Sequence, residues 1–236
     1  LVDPDLDFPF LLLLASGGHC QLLEVRGVGD YRRLATTIDD AAGEAFDKAA
    51  KLLGLHYPGG PAIEELAADG VPRAVPLPRP LVGSGEPHFS FAGLKSAVQR
   101  AVAAGKHKDA DIAASFQQAM VDCMVDRTAL ALMTSDAADR ADRTSEAGSP
   151  IRTLVVAGGV AANRALRTAL AELAGKNGRA FSVPPAWLCT DNAAMIGWAG
   201  AERFAAGLCD GLDAPARARW PLDEAAEKVR GAGVKA

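Results

Sequence analysis

Residues 153–164 read TLVVAGGVAANR, a largely β-branched apolar run that ends at two adjacent glycines. Such a run predicts a buried strand, and the alanine-rich residues from Ala161 to about Gly175 predict a helix. A strand, a glycine turn and a helix start in this order are typical of a phosphate or nucleotide site, because the helix start offers unpaired N–H groups. An ordinary strand-to-helix turn of an α/β domain is the alternative.

A second glycine turn lies near the beginning of the chain. The apolar residues 10–15 predict a buried strand, residues 21–25 a second strand and residues 31–38 a third, with Ser16-Gly17-Gly18 at the first turn. The tip of this meander can present backbone N–H groups and a serine hydroxyl to phosphate oxygens. A glycine hairpin that binds no ligand is the alternative.

An acidic helix follows the meander. Asp39 and Asp40 are predicted to cap a helix over residues 41–53. Asp40, Glu44 and Asp47 have the spacing of one helix face, which is either solvated or meets hydroxyl or cationic groups of a ligand.

The rest of the chain predicts further helices and irregular connections. Residues 70–90 are proline-rich and predict an irregular loop that is functional, a lid or covered by a partner. Residues 134–150 are polar and predict an exposed linker. Further helices are predicted at 62–68, at 111–133 and at 193–206, where Thr190, Asp191 or Asn192 provides the cap, and residues 89–95 lead into a helix that continues through about 103.

The composition indicates a globular protein. Of 236 residues 49% are hydrophobic, and the net charge of −4 argues against a protein coated in basic charge. The four cysteines form no CxxC pair and indicate reduced thiols, and no apolar run is long enough to span a bilayer. We therefore expect a cytoplasmic protein without membrane contact. The chain starts at Leu1 and reaches a core strand by Phe10, as expected of a chain that lacks its beginning.

Six motifs in one order together carry a resemblance to a known family. The sequence resembles the tRNA threonylcarbamoyladenosine synthases, the TsaD-type proteins once labelled O-sialoglycoprotein endopeptidases, over nearly all of residues 8–224. The motifs are ASGGH at 15–19, DDAAGEAFDK at 39–48, YPGGP at 57–61, FSFAGLK at 89–95, AGGVAANR at 157–164 and CTDNAAMI at 189–196.

The resemblance implies an α/β fold of the actin-like ATPase class (ASKHA, ribonuclease H-like), of which this chain is the second lobe plus a closing helix. Residues 1–190 would form that lobe, with a helical insertion at about 39–133. Residues 191–224 would form the closing helix and a segment returning toward the first lobe, and 225–236 a disordered tail. The implied contacts to the nucleotide-like substrate are Leu14, Ala15, Ser16, Gly17, Gly18, Asp47, Gly60 and Asn163.

The resemblance also implies a divalent metal, iron or zinc, with Asp191 as a ligand. The family carries an HxxxH pair just before the strand that begins this chain, and none of the four histidines here has that spacing. Two of three ligands and the first lobe are therefore expected outside these residues, and this chain alone is expected to be inactive.

By resemblance, the activity is transfer of the threonylcarbamoyl group from threonylcarbamoyl-AMP to N6 of the adenosine beside the anticodon of tRNAs reading ANN codons. TsaB-like and TsaE-like proteins are the implied bacterial partners. The alternatives are a sugar-kinase-like phosphotransferase of the same fold and an inactive scaffold fragment; a metallopeptidase is disfavoured because no HExxH motif is present. Candidate contacts to tRNA phosphates are Arg32, Arg33, Lys95, Arg100, Lys106, Lys108, Arg164 and Arg167.

Overall fold

The structure, a computed structural model, describes residues 2–141, 150–216 and 220–229. Its centre is a five-stranded mixed sheet with the order β3-β2-β1-β4-β5. The strands are β1 (Phe10–Ala15), β2 (Cys20–Gly27), β3 (Asp30–Thr36), β4 (Thr153–Ala157) and β5 (Ala180–Ser182). This confirms an α/β fold and the predicted meander.

The two most apolar strands, β1 and β4, are direct neighbours in the middle of the sheet. They run parallel, with Leu11 opposite Leu154 and Leu13 opposite Val156, whereas β1, β2 and β3 pair antiparallel. Because parallel strands place their carboxyl ends at one edge, the turns that follow β1 and β4 lie side by side.

Six α-helices accompany the sheet in the described part of the chain. They are α1 (Ala42–Leu52), α2 (Gly59–Ala67), α3 (Ala92–Ala104), α4 (Asp109–Ala141), α5 (Arg164–Lys176) and α6 (Ala193–Ala205). The main core joins α1 to α5 with one face of the sheet, for example Phe46 and Phe116 with Leu13 and Val156. None of these helices is both long enough and apolar enough to cross a bilayer.

Several predicted boundaries are wrong. The predicted linker at 134–150 is helical up to Ala141, which lengthens the helical region beyond 133, and residues 142–149 lie outside the described part. The chain after Gly158 forms a short 3-10 helix, Gly159–Ala162, so that α5 begins only at Arg164. The helix α2 begins at Gly59, three residues before the predicted start.

The predicted cap of α1 is also wrong. Asp39 accepts hydrogen bonds from the backbone N–H groups of Phe91 at 2.7 Å and Ala92 at 3.2 Å, so it caps α3 across the fold. Asp40 instead pairs with Lys48 at 2.7 Å. The position of Asp39 just before α1 suggests a cap of that helix. Because residues 89–92 lie close to Thr37 and Ile38, the N–H groups at the start of α3 reach Asp39 instead.

The proline-rich segment 70–90 has no helix or strand, as predicted, and it is hydrogen-bonded along α4. Backbone N–H groups of this segment and its arginines bind a row of α4 side chains, namely Asp111, Ser115, Asp122 and Asp126. The buried Arg127 donates to the carbonyls of Ser84 and Glu86. The apolar spacing of α4 had identified Arg127 as an exception, and these contacts are its physical reason.

The end of the described chain contacts the edge of the sheet. The Asp223 carboxylate accepts the backbone N–H of Arg33 at 2.8 Å, and the Glu227 carbonyl accepts from the Arg33 side chain. Asp223 and Glu227 therefore both contact β3, and Glu227 belongs to the predicted tail 225–236. Residues 230–236 of that predicted tail lie outside the described part.

Candidate functional site

The two glycine turns meet at the carboxyl edge of β1 and β4. Gly158 has φ 92° and ψ 169°, and a Cβ placed there would lie 2.3 Å from the carbonyl oxygen of Ala15. Only glycine accommodates both the backbone conformation and this approach. The structure thus brings together Leu14, which is half-buried, the buried Ala15 and the turn after Gly158.

The turn after β1 is closed by its own serine. The Ser16 hydroxyl accepts the N–H groups of His19 at 3.0 Å and Gly18 at 3.3 Å. This hydroxyl therefore stabilises the turn, whereas the sequence had suggested it as a phosphate ligand. Gly17 and Gly18 are exposed, and a Cβ on either would meet open space, so a ligand can approach the backbone of this turn.

Helix α1 starts directly against the same turn. The Gly43 N–H donates to the Ser16 carbonyl at 3.1 Å, and a Cβ on Gly43 would lie 2.8 Å from Gly17 Cα. This close contact places the first turn of α1 at the edge where the two glycine turns lie.

Asp47 lies one turn further along α1 and joins α2 to the site. Its Oδ1 accepts the Gly59 N–H at 2.8 Å, and a Cβ on Gly59 would lie 2.6 Å from Asp47 Cα. Gly60 faces open space. Of the predicted acidic face, Asp40 and Glu44 both bind Lys48, whereas Asp47 binds Gly59 of α2. The hydrogen bond to Asp40, together with that to Glu44, raises the pKa of Lys48.

Asn163 caps α5 and does not lie in its first turn. Its Oδ1 accepts the Leu166 N–H at 2.9 Å, and its Nδ2 donates to Gln117 Oε1 at 2.8 Å. The Arg164 N–H is bound by the Glu64 carboxylate at 2.8 Å. Two N–H groups of this helix start are therefore already paired, which contradicts the prediction that they are free for a phosphate.

Sequence reasoning missed Gln117 and Glu64 as neighbours of this turn. The one available signal for Gln117 was a polar residue directly after Phe116 in an apolar helix. Nothing in the sequence around Glu64 indicated its role, because its hydrogen-bond partner Arg164 is 100 residues away along the chain.

Asp191 lies on a separate segment. It is exposed, and its neighbour Asn192 caps α6 by accepting the Met195 N–H at 2.9 Å, which selects one of the three predicted caps. Among the residues that the structure describes, no three His, Cys, Asp or Glu side chains are close enough to hold a metal ion. One exposed carboxylate does not form a transition-metal site, so the residues present do not by themselves fit the implied metal.

The cysteines are all free, as predicted. Cys20 directly follows the Ser16–His19 turn and is fully buried, and burial raises the pKa of its thiol far above the ordinary value. A thiol that stays protonated is a poor nucleophile, which argues against covalent catalysis through Cys20.

Helix α6 presents apolar side chains to solvent. None of its residues is buried, and Ile196 is 67% and Phe204 76% exposed. On the second face of the sheet, a cavity of about 990 Å³ lies between Phe10, Leu12 and Val25 on one side and Arg203 and Trp220 on the other. Apolar surface of this extent on a helix is typical of a face that another part of a protein covers.

Solved structures with a similar fold are distant in sequence. Full-length HypF in its phosphate- and nucleotide-bound form matches 85% of this chain and 34% of its own length, with a TM-score of 0.53 and 14% identity. At this identity the likeness supports the fold alone.

Curated relatives are much closer in sequence. The chain is 71% identical over its whole length to the tRNA N6-adenosine threonylcarbamoyltransferase of Sphingopyxis alaskensis and 67% identical to the protein of that name from Novosphingobium aromaticivorans. It covers 65% and 64% of those proteins, so it spans less than two thirds of their length. The profile of the TsaD family, tRNA N6-adenosine threonylcarbamoyltransferase, matches residues 1–198. The chain therefore belongs to the TsaD family.

Proposed function

We propose that this chain, completed to the length its relatives span, transfers a threonylcarbamoyl group from threonylcarbamoyl-AMP to N6 of the adenosine beside the tRNA anticodon. The observation that carries the proposal is the meeting of two glycine turns at one sheet edge, where Gly158 packs on the Ala15 carbonyl. Relatives at 71% and 67% identity bear the name of this activity.

The proposed adenylate site uses backbone and side-chain groups in different roles. The open backbone at Gly17 and Gly18 is suited to the phosphate of the adenylate, because exposed N–H groups of a glycine turn bind anions. The turn that ends at Asn163 would lie on the adenosine side. Asp47 has a second carboxylate oxygen that can accept a ribose hydroxyl while its first holds Gly59, and Gly60 leaves room for the substrate.

The reaction is acyl transfer from a mixed anhydride to an exocyclic amine. The N6 nitrogen attacks the carbamoyl carbon, the bond from that carbon to the phosphate oxygen breaks, AMP leaves, and the amine loses one proton. The turn at Gly17 and Gly18 would stabilise the charge on the leaving phosphate, and the fixed sheet edge would align the two substrates. No side chain of this chain is assigned as the general base.

Asp191 is the proposed contribution of this chain to a divalent metal site, iron or zinc, whose other ligands would come from outside these residues. We also propose that α6, with its exposed Ile196 and Phe204, is the closing helix of residues 191–224 and meets the first lobe. The lobe of residues 1–190 would then provide one side of the nucleotide cleft.

The proposed partners are tRNA and, in bacteria, TsaB-like and TsaE-like proteins, in the cytoplasm. Arg100, Lys106 and Lys108 are exposed and near the end of α3, so they remain candidates for tRNA phosphates. Arg32 and Arg164 are weaker candidates, because they already pair with Glu24 and Glu64.

The test compares Asp47→Asn and Asp47→Ala in the intact protein, meaning the full length that the relatives span. Binding of a non-hydrolysable threonylcarbamoyl-adenylate analogue is measured by calorimetry, and modified adenosine in tRNA by mass spectrometry. Asp47→Ala should weaken binding about tenfold or more, as expected for a lost hydrogen bond to a charged group. Asp47→Asn, which keeps the acceptor for Gly59, should bind more tightly than Asp47→Ala.

Asp69→Ala is the matched control, because Asp69 is exposed and lies beyond the end of α2. Equal affinity in Asp47→Ala and Asp69→Ala would contradict the assignment of Asp47. Transfer of phosphate from ATP to a small metabolite, without tRNA modification, would favour the phosphotransferase alternative. An intact protein that binds its partner proteins but binds neither the adenylate analogue nor ATP would favour the scaffold alternative.

A further inference from the structure

One side chain, Arg167, joins three segments around the candidate site. Its Nε donates to the Ala161 carbonyl, and its Nη2 donates to the Pro184 carbonyl at 2.8 Å and to Cys189 Sγ at 3.3 Å. Ala161 belongs to the 3-10 helix after the Gly158 turn, whereas Pro184 and Cys189 belong to the segment between β5 and α6. Arg167 itself lies on α5 and is half-buried.

Apart from these contacts, the segment 183–192 is attached by Val183 and Cys189, which pack against the main core. Cys189 is its one buried residue, and the Cys189 thiol also approaches the carbonyls of Pro184 at 3.6 Å and Pro185 at 3.7 Å. Trp187 in the same segment is 70% exposed and does not anchor it. The contact between the Cys189 thiol and the Arg167 guanidinium therefore adds a polar attachment to the apolar packing of the segment.

We propose that Arg167 is a positioning residue that fixes segment 183–192 relative to the turn 158–163, so that nucleotide binding at the turn orders the segment carrying Asp191. The proposed function enters this proposal only in the choice of an adenine nucleotide as the ligand of the turn. A guanidinium presents Nε–H and Nη2–H donors in one rigid plane and reaches two carbonyls in different segments. A lysine ammonium lacks this rigid planar arrangement and sits on a more flexible stem, so we expect it to hold the two segments less firmly.

The test measures amide hydrogen exchange by mass spectrometry in the intact protein. The reporting amides are Ala161 and Asn163 in the turn, and Leu188 and Cys189 in the segment, each of which donates a backbone hydrogen bond. Arg167→Lys should raise exchange in both regions by about tenfold, as expected for a lost hydrogen bond from a charged group. Exchange within α4 should stay unchanged.

Two further variants separate positioning from general destabilisation. Cys189→Ala should loosen only the segment, because the contact between Arg167 and Ala161 survives. Lys176→Met, on the same helix at a side chain that is 75% exposed, should change neither region. Equal loosening of turn and segment in Cys189→Ala, or no change in Arg167→Lys, would overturn the proposal.

The second arm adds AMP as the probe. In the unsubstituted protein AMP should slow exchange at the turn and also at the segment, whereas in Arg167→Lys the slowing should stop at the turn. Slowing at both regions in Arg167→Lys would overturn the proposal. If AMP protects nothing in the unsubstituted protein, the nucleotide site fails, and the ligand-free comparison still decides the role of Arg167.

Discussion

Replacing Gly158 by alanine should destabilise the protein more than any other glycine change at the site. The backbone there, at φ 92° and ψ 169°, costs a side-chain-bearing residue about 1–3 kcal/mol. The added Cβ would also lie 2.3 Å from the Ala15 oxygen and 2.7 Å from its carbonyl carbon. Because both atoms are backbone of the central strand β1, relief requires β1 and β4 to separate, which adds about 1–3 kcal/mol.

The expected loss is therefore about 2–6 kcal/mol in the free energy of unfolding, a large part of the total for a domain. Urea unfolding of the intact protein, followed by far-ultraviolet circular dichroism, measures this loss. Gly159→Ala is the matched control, because its Cβ meets open space, and its effect should stay within about 1 kcal/mol. Similar losses in both variants would refute the argument from the close approach of the two strands.

Three further outcomes are expected. Asp39→Ala should cost about 1–2 kcal/mol by removing the cap of α3, whereas Asp40→Ala, which loses a partly exposed ion pair, should cost less than about 1 kcal/mol in the same urea experiment. Arg127→Met should cost about 2–4 kcal/mol and speed limited proteolysis at residues 84–86, because their carbonyls lose a buried donor; unchanged cleavage there would contradict this role. Burial lowers the pKa of His88 against the opposing effect of Glu86, so the folded state binds a proton less readily than the unfolded chain. The contribution of His88 to the free energy of unfolding should therefore be fully present above about pH 6.5 and be lost as the pH falls below it. In His88→Gln, the melting temperature should depend less on pH between about pH 7.5 and about pH 5.

The sequence alone predicted four of the five strands and the α/β class, whereas the short edge strand β5 was not predicted. The largely apolar runs of five or six residues at 10–15 and 153–157 each lead into a Gly-Gly turn, and such short runs are typical of strands buried in the centre of a sheet. The six ordered motifs were sufficient for the family, because each carries residue types at fixed spacing and spacing is a property of sequence.

Only the tertiary structure decided which groups are free to bind a ligand. The hydroxyl of Ser16 and the start of α5 had the right chemistry for phosphate, yet the hydroxyl closes its own turn and Glu64 with Asn163 occupies the helix start. Likewise Asp39 caps a helix more than fifty residues away. Hydrogen-bond donors and acceptors are shared among segments that are distant in the chain, and a side chain takes the partner that folding brings within about 3 Å. Local patterns therefore determine where strands and helices form, whereas the packing of those elements determines which polar groups remain available to a substrate.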